Sequence, residues 1–385
     1  MKIAWFCIPA HGHTNPTLGL VRALVDAGHE VYYFSFEMFR EKIIDTGATF
    51  IACDSYGDMD PDDEAAQKVA KDTAYAAKIM VDATLALDGF VAQKIDELHP
   101  DVIVSDSVAY WGKLAALKHK LPYICSTTTF AFNRYSAGYM KHGIGELFKM
   151  LVSMPKINAQ MKRLRDNGYP VKNFLDIVQN DNETNTIVYT SKLFQPCSET
   201  FSDRYHFIGP SMRPVSDKFE KTRDKTVYIS MGTINKNRDF YNNCIKVLGN
   251  TDYQVIISMG ANKDHFDDLP ANIEIYESVD QMAVLSISDV FITHCGMNSA
   301  SEGLYYCVPL ILFPQTSEQE AVAKRTEELK AGFRLNSISK DDILNSINTV
   351  LNDPSYKENA TKISESFKQS GGIKEAVAFI EQTAK

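Results

Sequence analysis

Thr293-His294-Cys295-Gly296-Met297-Asn298-Ser299, followed by Glu302, Val308-Pro309, Pro314 and Glu318-Gln319, is the stretch on which the fold and the chemistry turn. Ahead of it, residues 289–292 form a short apolar run of the kind that makes a buried parallel strand. Behind it, a helical pattern runs on from Met297 toward Tyr306. A strand that ends in a glycine turn and reopens as a helix offers unpaired backbone N–H groups and the positive end of a helix dipole, and glycine lets an anion come close to both. Asn298 and Ser299 can donate further hydrogen bonds, and His294 one more from the strand end. Glu302 falls about one turn further on. An ionised carboxylate only accepts hydrogen bonds, so it suits ribose hydroxyls better than phosphate. The ligand implied is a nucleotide whose diphosphate rests on the helix start.

Working outward, apolar runs alternate with helical patterns along the whole chain. Strands are expected at 2–8, 30–36, 49–52, 101–105 and 123–125, with a helix at 17–27 capped by Gly28, then a Met- and aromatic-rich helical region over 130–167 and strands at 186–190 and 205–208. Gly209-Pro210, Arg213-Pro214 and a charged stretch to Lys225 read as a linker. Strands at 226–230, 253–257, 273–276, 289–293 and 309–313 form a second series. This is an α/β pattern with two Rossmann-like domains and a cleft between them, over residues 1–212 and 226–360, joined by 213–225 and followed by 361–385. A chain of 385 residues exceeds what one core usually holds.

Composition narrows the function. Hydrophobic content of 44% and charged content of 23% belong to a globular protein, and a net charge of -9 without a basic stripe argues against nucleic acid as a partner. The seven cysteines are scattered and never spaced C-x-x-C, which reads as reduced thiols in a cytoplasmic protein, without disulfides or a zinc site. No apolar run approaches membrane-spanning length, and residues 3–8 are too short a run for a signal peptide. No transmembrane anchor is expected, the chain closing on the amphipathic segment 372–385.

A second constellation lies near the start. The first strand runs into Pro9-Ala10-His11-Gly12-His13-Thr14-Asn15-Pro16, where Thr14 or Asn15 is placed to cap a helix and Pro16 suits its first turn. The strand near Ile103 ends in Ser105-Asp106-Ser107. In a parallel sheet both ends leave the carboxyl edge, where ligands bind, so His13 and Asp106 can meet. A neutral imidazole can take a proton from a hydroxyl, and a carboxylate on its other nitrogen fixes the tautomer. His11 reads as a residue that shapes the turn. Ser230-Met231-Gly232-Thr233 supplies a glycine turn that exposes N–H groups, with Ser230 or Thr233 adding a hydroxyl.

From Gln281 to Gln319 the pattern resembles the donor-binding signature of the UDP-glycosyltransferase family with the GT-B fold, in particular its bacterial macrolide-glycosyltransferase branch. The resemblance implies that His294 contacts the diphosphate, that Gly296, Asn298 and Ser299 form its cradle, that Glu302 holds the ribose, and that Glu318 and Gln319 bind the donor sugar. It puts Val279, Gln281, Ser230, Gly232 and Thr233 in the same donor site, makes His13 the base and Asp106 its partner, and sends the last helices back onto the first domain. Two departures stand out: Ser278 occupies the place of an aromatic residue that stacks on the base, with Tyr276 the nearest aromatic, and Asp280 replaces a proline. This weakens the inference to uracil and leaves thymine or a less selective pocket open, so the donor is a UDP-sugar or a TDP-sugar.

Asp58-Met59-Asp60 and Asp60-Pro61-Asp62 look like a metal-binding D-x-D but read as a solvated acidic surface, so neither metal nor cofactor is expected. Tyr110, Trp111, Phe130, Phe132 and Tyr135 are the candidates for an apolar acceptor pocket. The resemblance implies an inverting transfer of a hexose, glucose from UDP-glucose, to a hydroxyl of a lipophilic polyketide, macrolide or phenolic compound. A nucleotide-sugar epimerase of the same fold and a non-catalytic nucleotide-binding auxiliary partner are the competing readings.

Overall fold

The computed structural model describes residues 1–54, 72–139, 144–232, 238–260 and 269–385, with the side chains of 144–151 also left aside. The D-x-D segment and Thr233 lie outside these residues. In the first half, β1 (Lys2–Phe6), β2 (Glu30–Ser35), β3 (Thr49–Ala52), β4 (Val102–Asp106), β5 (Tyr123–Thr127), β6 (Thr186–Val188) and β7 (Tyr205–Phe207) form one parallel sheet in the order β3-β2-β1-β4-β5-β6-β7. In the second, β8 (Lys225–Ser230), β9 (Tyr253–Ser258), β10 (Ile273–Tyr276), β11 (Val290–Thr293), β12 (Leu310–Leu312) and β13 (Gly332–Arg334) form another, in the order β10-β9-β8-β11-β12-β13. Strand order reverses between β1 and β4 and between β8 and β11, and a crevice opens at the carboxyl ends of such a pair. The strands read as unbroken apolar runs because helices cover both faces; every residue of β4 and of β11 is buried.

The longer helices are α1 (His11–Asp26), α2 (Thr73–Leu98), α3 (Tyr110–His119), α4 (Ile144–Asp166), α5 (Arg238–Leu248), α6 (Gln281–Ile287), α7 (Met297–Tyr305), α8 (Ser317–Glu328), α9 (Lys340–Asn352), α10 (Pro354–Gln369) and α11 (Gly372–Thr383). Side chains of Asp72, Asp280, Thr316, Ser339 and Asp353 cap α2, α6, α8, α9 and α10. The starts of α1 and α7, which follow β1 and β11 at the carboxyl edge of each sheet, have no side-chain cap.

Three expectations need correction. The first helix starts at His11 rather than at 17, with Ala10 as its N-cap and Pro16 inside it. Thr14 therefore caps nothing; it is buried, and its hydroxyl reaches back to the Ile8 carbonyl at 3.5 Å. Residues 130–136 are not helical, because Gln195 pairs with both the N–H and the carbonyl of Ala131, at 3.0 and 2.8 Å, and α4 is described from Ile144. The boundary at 361 falls inside α10, which packs on α7 through Ala360, Ile363 and Phe367. The chain crosses back after Ser370, where the Gly372 N–H donates to the Ile208 carbonyl at 3.0 Å, and α11 then lays Ala376, Phe379 and Ile380 against Leu20, Val21 and Leu24 of α1. Strand β13 went unanticipated, since three residues that include a glycine and an arginine carry little strand signal.

Candidate functional site

His13 sits in the first turn of α1, with its N–H on the Ala10 carbonyl at 3.0 Å, and Asp106 ends β4, the strand beside β1. Sheet register brings them together: His13 Nδ1 and Asp106 Oδ2 are 2.8 Å apart. The other carboxylate oxygen accepts from the Val108 N–H at 3.0 Å, which fixes the carboxylate plane. Thr128 Oγ1 lies 3.3 Å from the same His13 nitrogen. Asp106 is buried while 20% of the His13 side chain stays exposed, so the dyad shows solvent only the imidazole. Burial works against a charge on His13, but the Asp106 charge and hydrogen bond, with Glu318 adding, outweigh it and hold its pKa above the ordinary 6.5. Glu318, exposed in the first turn of α8, thus acts on His13 from the opposite half of the molecule. His11 packs edge-on against Phe39, with ring centroids 4.9 Å apart, and makes no part of the dyad.

In the second half, β8 ends at Ser230 and β11 at Thr293, paired in register, so their two turns lie side by side. His294 follows β11 and its ring fills the space between those turns. A Cβ on Gly296 would lie 2.6 Å from His294 Nε2, and one on Gly232 would lie 2.8 Å from His294 Cε1. Both glycines are therefore required by the imidazole, whether or not a phosphate is near. Burial lowers the His294 pKa to about 4, so the ring is neutral at physiological pH, and its buried Nδ1 has no partner among the described residues. Cys295 takes the left-handed conformation at φ 67°, and α7 starts immediately after Gly296.

Glu302 is buried on α7 beside Gln281 at the start of α6. The Gln281 amide oxygen accepts from the Tyr228 hydroxyl at 3.0 Å, and its Nε2 donates to Ser299 Oγ at 3.4 Å and to the Glu302 carboxylate. Gln281 therefore orients Ser299 and Glu302. Burial raises the Glu302 pKa, opposed by Arg213 and the Gln281 hydrogen bond. Arg213, read only as linker in the sequence, comes within 3.6 Å of Glu302 Oε1. Asp280 has two duties: Oδ1 caps α6, while Oδ2 accepts from the linker, from Ser216 Oγ at 2.9 Å and the Asp217 N–H at 3.2 Å. Val279 is half-buried against the core of this half. On α8, Gln319 Oε1 accepts from the Gln315 N–H at 2.8 Å and helps to close the helix start.

The two halves touch where their chemistry faces. Asn298 Nδ2 donates to the Gly12 carbonyl at 3.1 Å, one residue before His13. Pro16 explains why that carbonyl is free: a helix would pair it with the N–H four residues on, and proline has none. Pro16 marked in the sequence that this carbonyl would lack its helix partner, but not which group would take it.

The acceptor candidates fall in separate packing clusters. Trp111 is buried in the core beneath β1 and β4, Phe130 is buried with Phe194 and Phe367 between the halves, and Phe132 packs on that same cluster. Tyr110 borders a third cluster, and Tyr135 is 54% exposed beneath the Arg134 guanidinium. Met and aromatic content marked these residues; of the five, Trp111 and Phe130 are buried in the core, Tyr110 and Phe132 are partly buried, and Tyr135 is exposed. Among the described residues no cluster of His, Cys, Asp or Glu is arranged to hold a metal ion, and no helix is long and apolar enough to cross a membrane.

Residues 210–381 match the family model described as UDP-glucoronosyl and UDP-glucosyl transferase. The chain is 32% identical to the NDP-glycosyltransferase YjiC of Bacillus licheniformis, covering 98% of this chain and 96% of that one. It is 26% identical to the oleandomycin glycosyltransferase of Streptomyces antibioticus, over 98% of this chain and 90% of the relative. Among solved structures, the glycotransferase of kitacinnamycin superposes with a TM-score of 0.86 at 26% identity, covering 99% of this chain and 98% of that one.

Proposed function

The chain belongs to the UDP-glucoronosyl and UDP-glucosyl transferase family, with the GT-B fold of the macrolide glycosyltransferases, and on that premise we propose that it moves glucose from UDP-glucose, with inversion, to a hydroxyl of a lipophilic small molecule. The observation that carries this reading is the His13–Asp106 pair at 2.8 Å, held across from an uncapped helix start by the Asn298–Gly12 hydrogen bond. Asp106 keeps the His13 proton on Nδ1, so Nε2 is the nitrogen that takes the acceptor proton. The oxygen so freed bonds to the anomeric carbon from the face opposite the diphosphate. The bond from that carbon to the diphosphate oxygen breaks, its electron pair leaves with the nucleotide, and an α-linked donor gives a β-glycoside. Charge growing on the leaving group meets the N–H groups at the uncapped start of α7, beside which the neutral His294 ring lies.

Glu302 is the acceptor for the ribose hydroxyls, and Glu318 and Gln319 those for the sugar. The relatives are named as transferases, which gives the epimerase no support. A non-catalytic auxiliary would have no use for an oriented histidine base. The test is product mass: UDP-glucose and TDP-glucose incubated with a panel of hydroxylated aglycones should add one hexose to an aglycone, and only with it present. Conversion of the donor sugar without an acceptor would overturn the reading. The proposed chemistry uses no metal, so turnover in excess EDTA should match that without it; a loss restored by magnesium or manganese would show otherwise.

A further inference from the structure

A cavity of about 340 Å³ lies between linker residues Arg213, Ser216 and Asp217 and the loop 278–280, and none of the described residues lining it is aromatic. Arg213 belongs to this wall and also lies 3.6 Å from Glu302, so the cavity adjoins the carboxylate read above as the ribose acceptor. A nucleobase is bonded directly to its ribose and must enter the space next to that carboxylate. Ser278 offers the base no ring to lie on. Tyr276 does not replace one: its hydroxyl donates to Glu274 at 2.6 Å and its ring meets Phe219 edge-on at 5.7 Å. The linker main chain is fastened through Asp280, yet the Arg213 side chain is 56% exposed and makes one long ion pair.

Resting on the donor-site reading, we infer that Arg213 is a base-binding residue whose guanidinium plane stacks on the pyrimidine of the bound nucleotide, in place of the missing aromatic. A guanidinium is flat, weakly hydrated and stacks on π-faces, whereas an ammonium of equal charge does not. Without nucleotide, the same group screens the buried Glu302 carboxylate. Stacking tolerates both uracil and thymine, so UDP and TDP are bound with similar affinity.

Calorimetric titration with UDP, TDP and inorganic pyrophosphate tests this on the parent, Arg213→Ala, Arg213→Lys and the double variant Arg213→Ala/Ser278→Trp. Both single variants should lose about tenfold in affinity for UDP and TDP and keep the parent's affinity for pyrophosphate, which has no base. The double variant should regain most of the loss. Parental affinity in Arg213→Lys would assign Arg213 a purely electrostatic role and overturn the inference, as would an unchanged Arg213→Ala or an equal loss for pyrophosphate. If the parent binds neither UDP nor TDP, the donor site itself has been misread and both proposals fall.

Discussion

Within the dyad, each residue has a separable duty, and this makes its kinetics predictable. His13→Ala should lower turnover roughly a hundred- to ten-thousandfold while donor binding persists, because in the proposed mechanism the imidazole acts on the acceptor. Asp106→Ala should cost less, and the double variant should match His13→Ala, since Asp106 has nothing to orient once the ring is gone. Losses that multiply would mean that the two do not act as one unit. The sign of the pH dependence follows from the raised His13 pKa. The base works when neutral, so kcat/KM should fall as pH drops through a midpoint above 6.5, the ordinary value. Glu318→Gln removes one of the charges that raises it, so the acid limb should move to lower pH. A limb that stays put in that variant would detach Glu318 from His13.

At the scale of the element, the strand-to-helix turns of the second half are built around a side chain. Gly296→Ala keeps a permitted backbone, φ being -58°, but drives a methyl group to 2.6 Å from His294 Nε2. It should destabilise the protein by about 1–3 kcal/mol. Adding His294→Ala removes the obstacle, and urea unfolding of the double variant should then show much less than the sum of the two single losses. Simple additivity would mean that the imidazole is not what the glycine accommodates. The glycine in this motif was legible in the sequence; its neighbour was not, because the ring comes to rest between Gly296 and the distant Gly232 only after β8 and β11 have paired.

Across the whole molecule, the halves share a core and a set of polar ties. Phe194 of the first half meets Phe367 of α10 edge-on at 5.7 Å, and Arg325 of α8 donates to the carbonyls of Leu193 and Phe194 at 2.8 and 3.1 Å. A guanidinium that satisfies two carbonyls at a half-buried seam is costly to remove. Arg325→Ala should lower the urea midpoint, by about 1.5–3 kcal/mol if the transition stays single. A transition that splits in two would show that this seam is what makes the halves unfold together.

Features that depend on short range could be read from the residues alone. Apolar runs and glycine punctuation announced the alternation of strand and helix, and the segment from His294 to Glu302 announced a strand that turns at a glycine into a helix, because residue types a few positions apart on one strand and helix must lie near one another. Asp106 could be matched to His13 without knowing strand order, since any parallel sheet sends both loops to one edge. Tertiary structure alone decided the rest. Arg213 faces Glu302, Asp280 holds the linker, Asn298 reaches Gly12, and Phe130 packs with Phe194 in the cluster shared by the halves. Each of these pairs elements far apart in the chain. Hydrophobic burial and hydrogen bonding say that such groups need partners, but only the packed arrangement of the two sheets determines which partner each one finds.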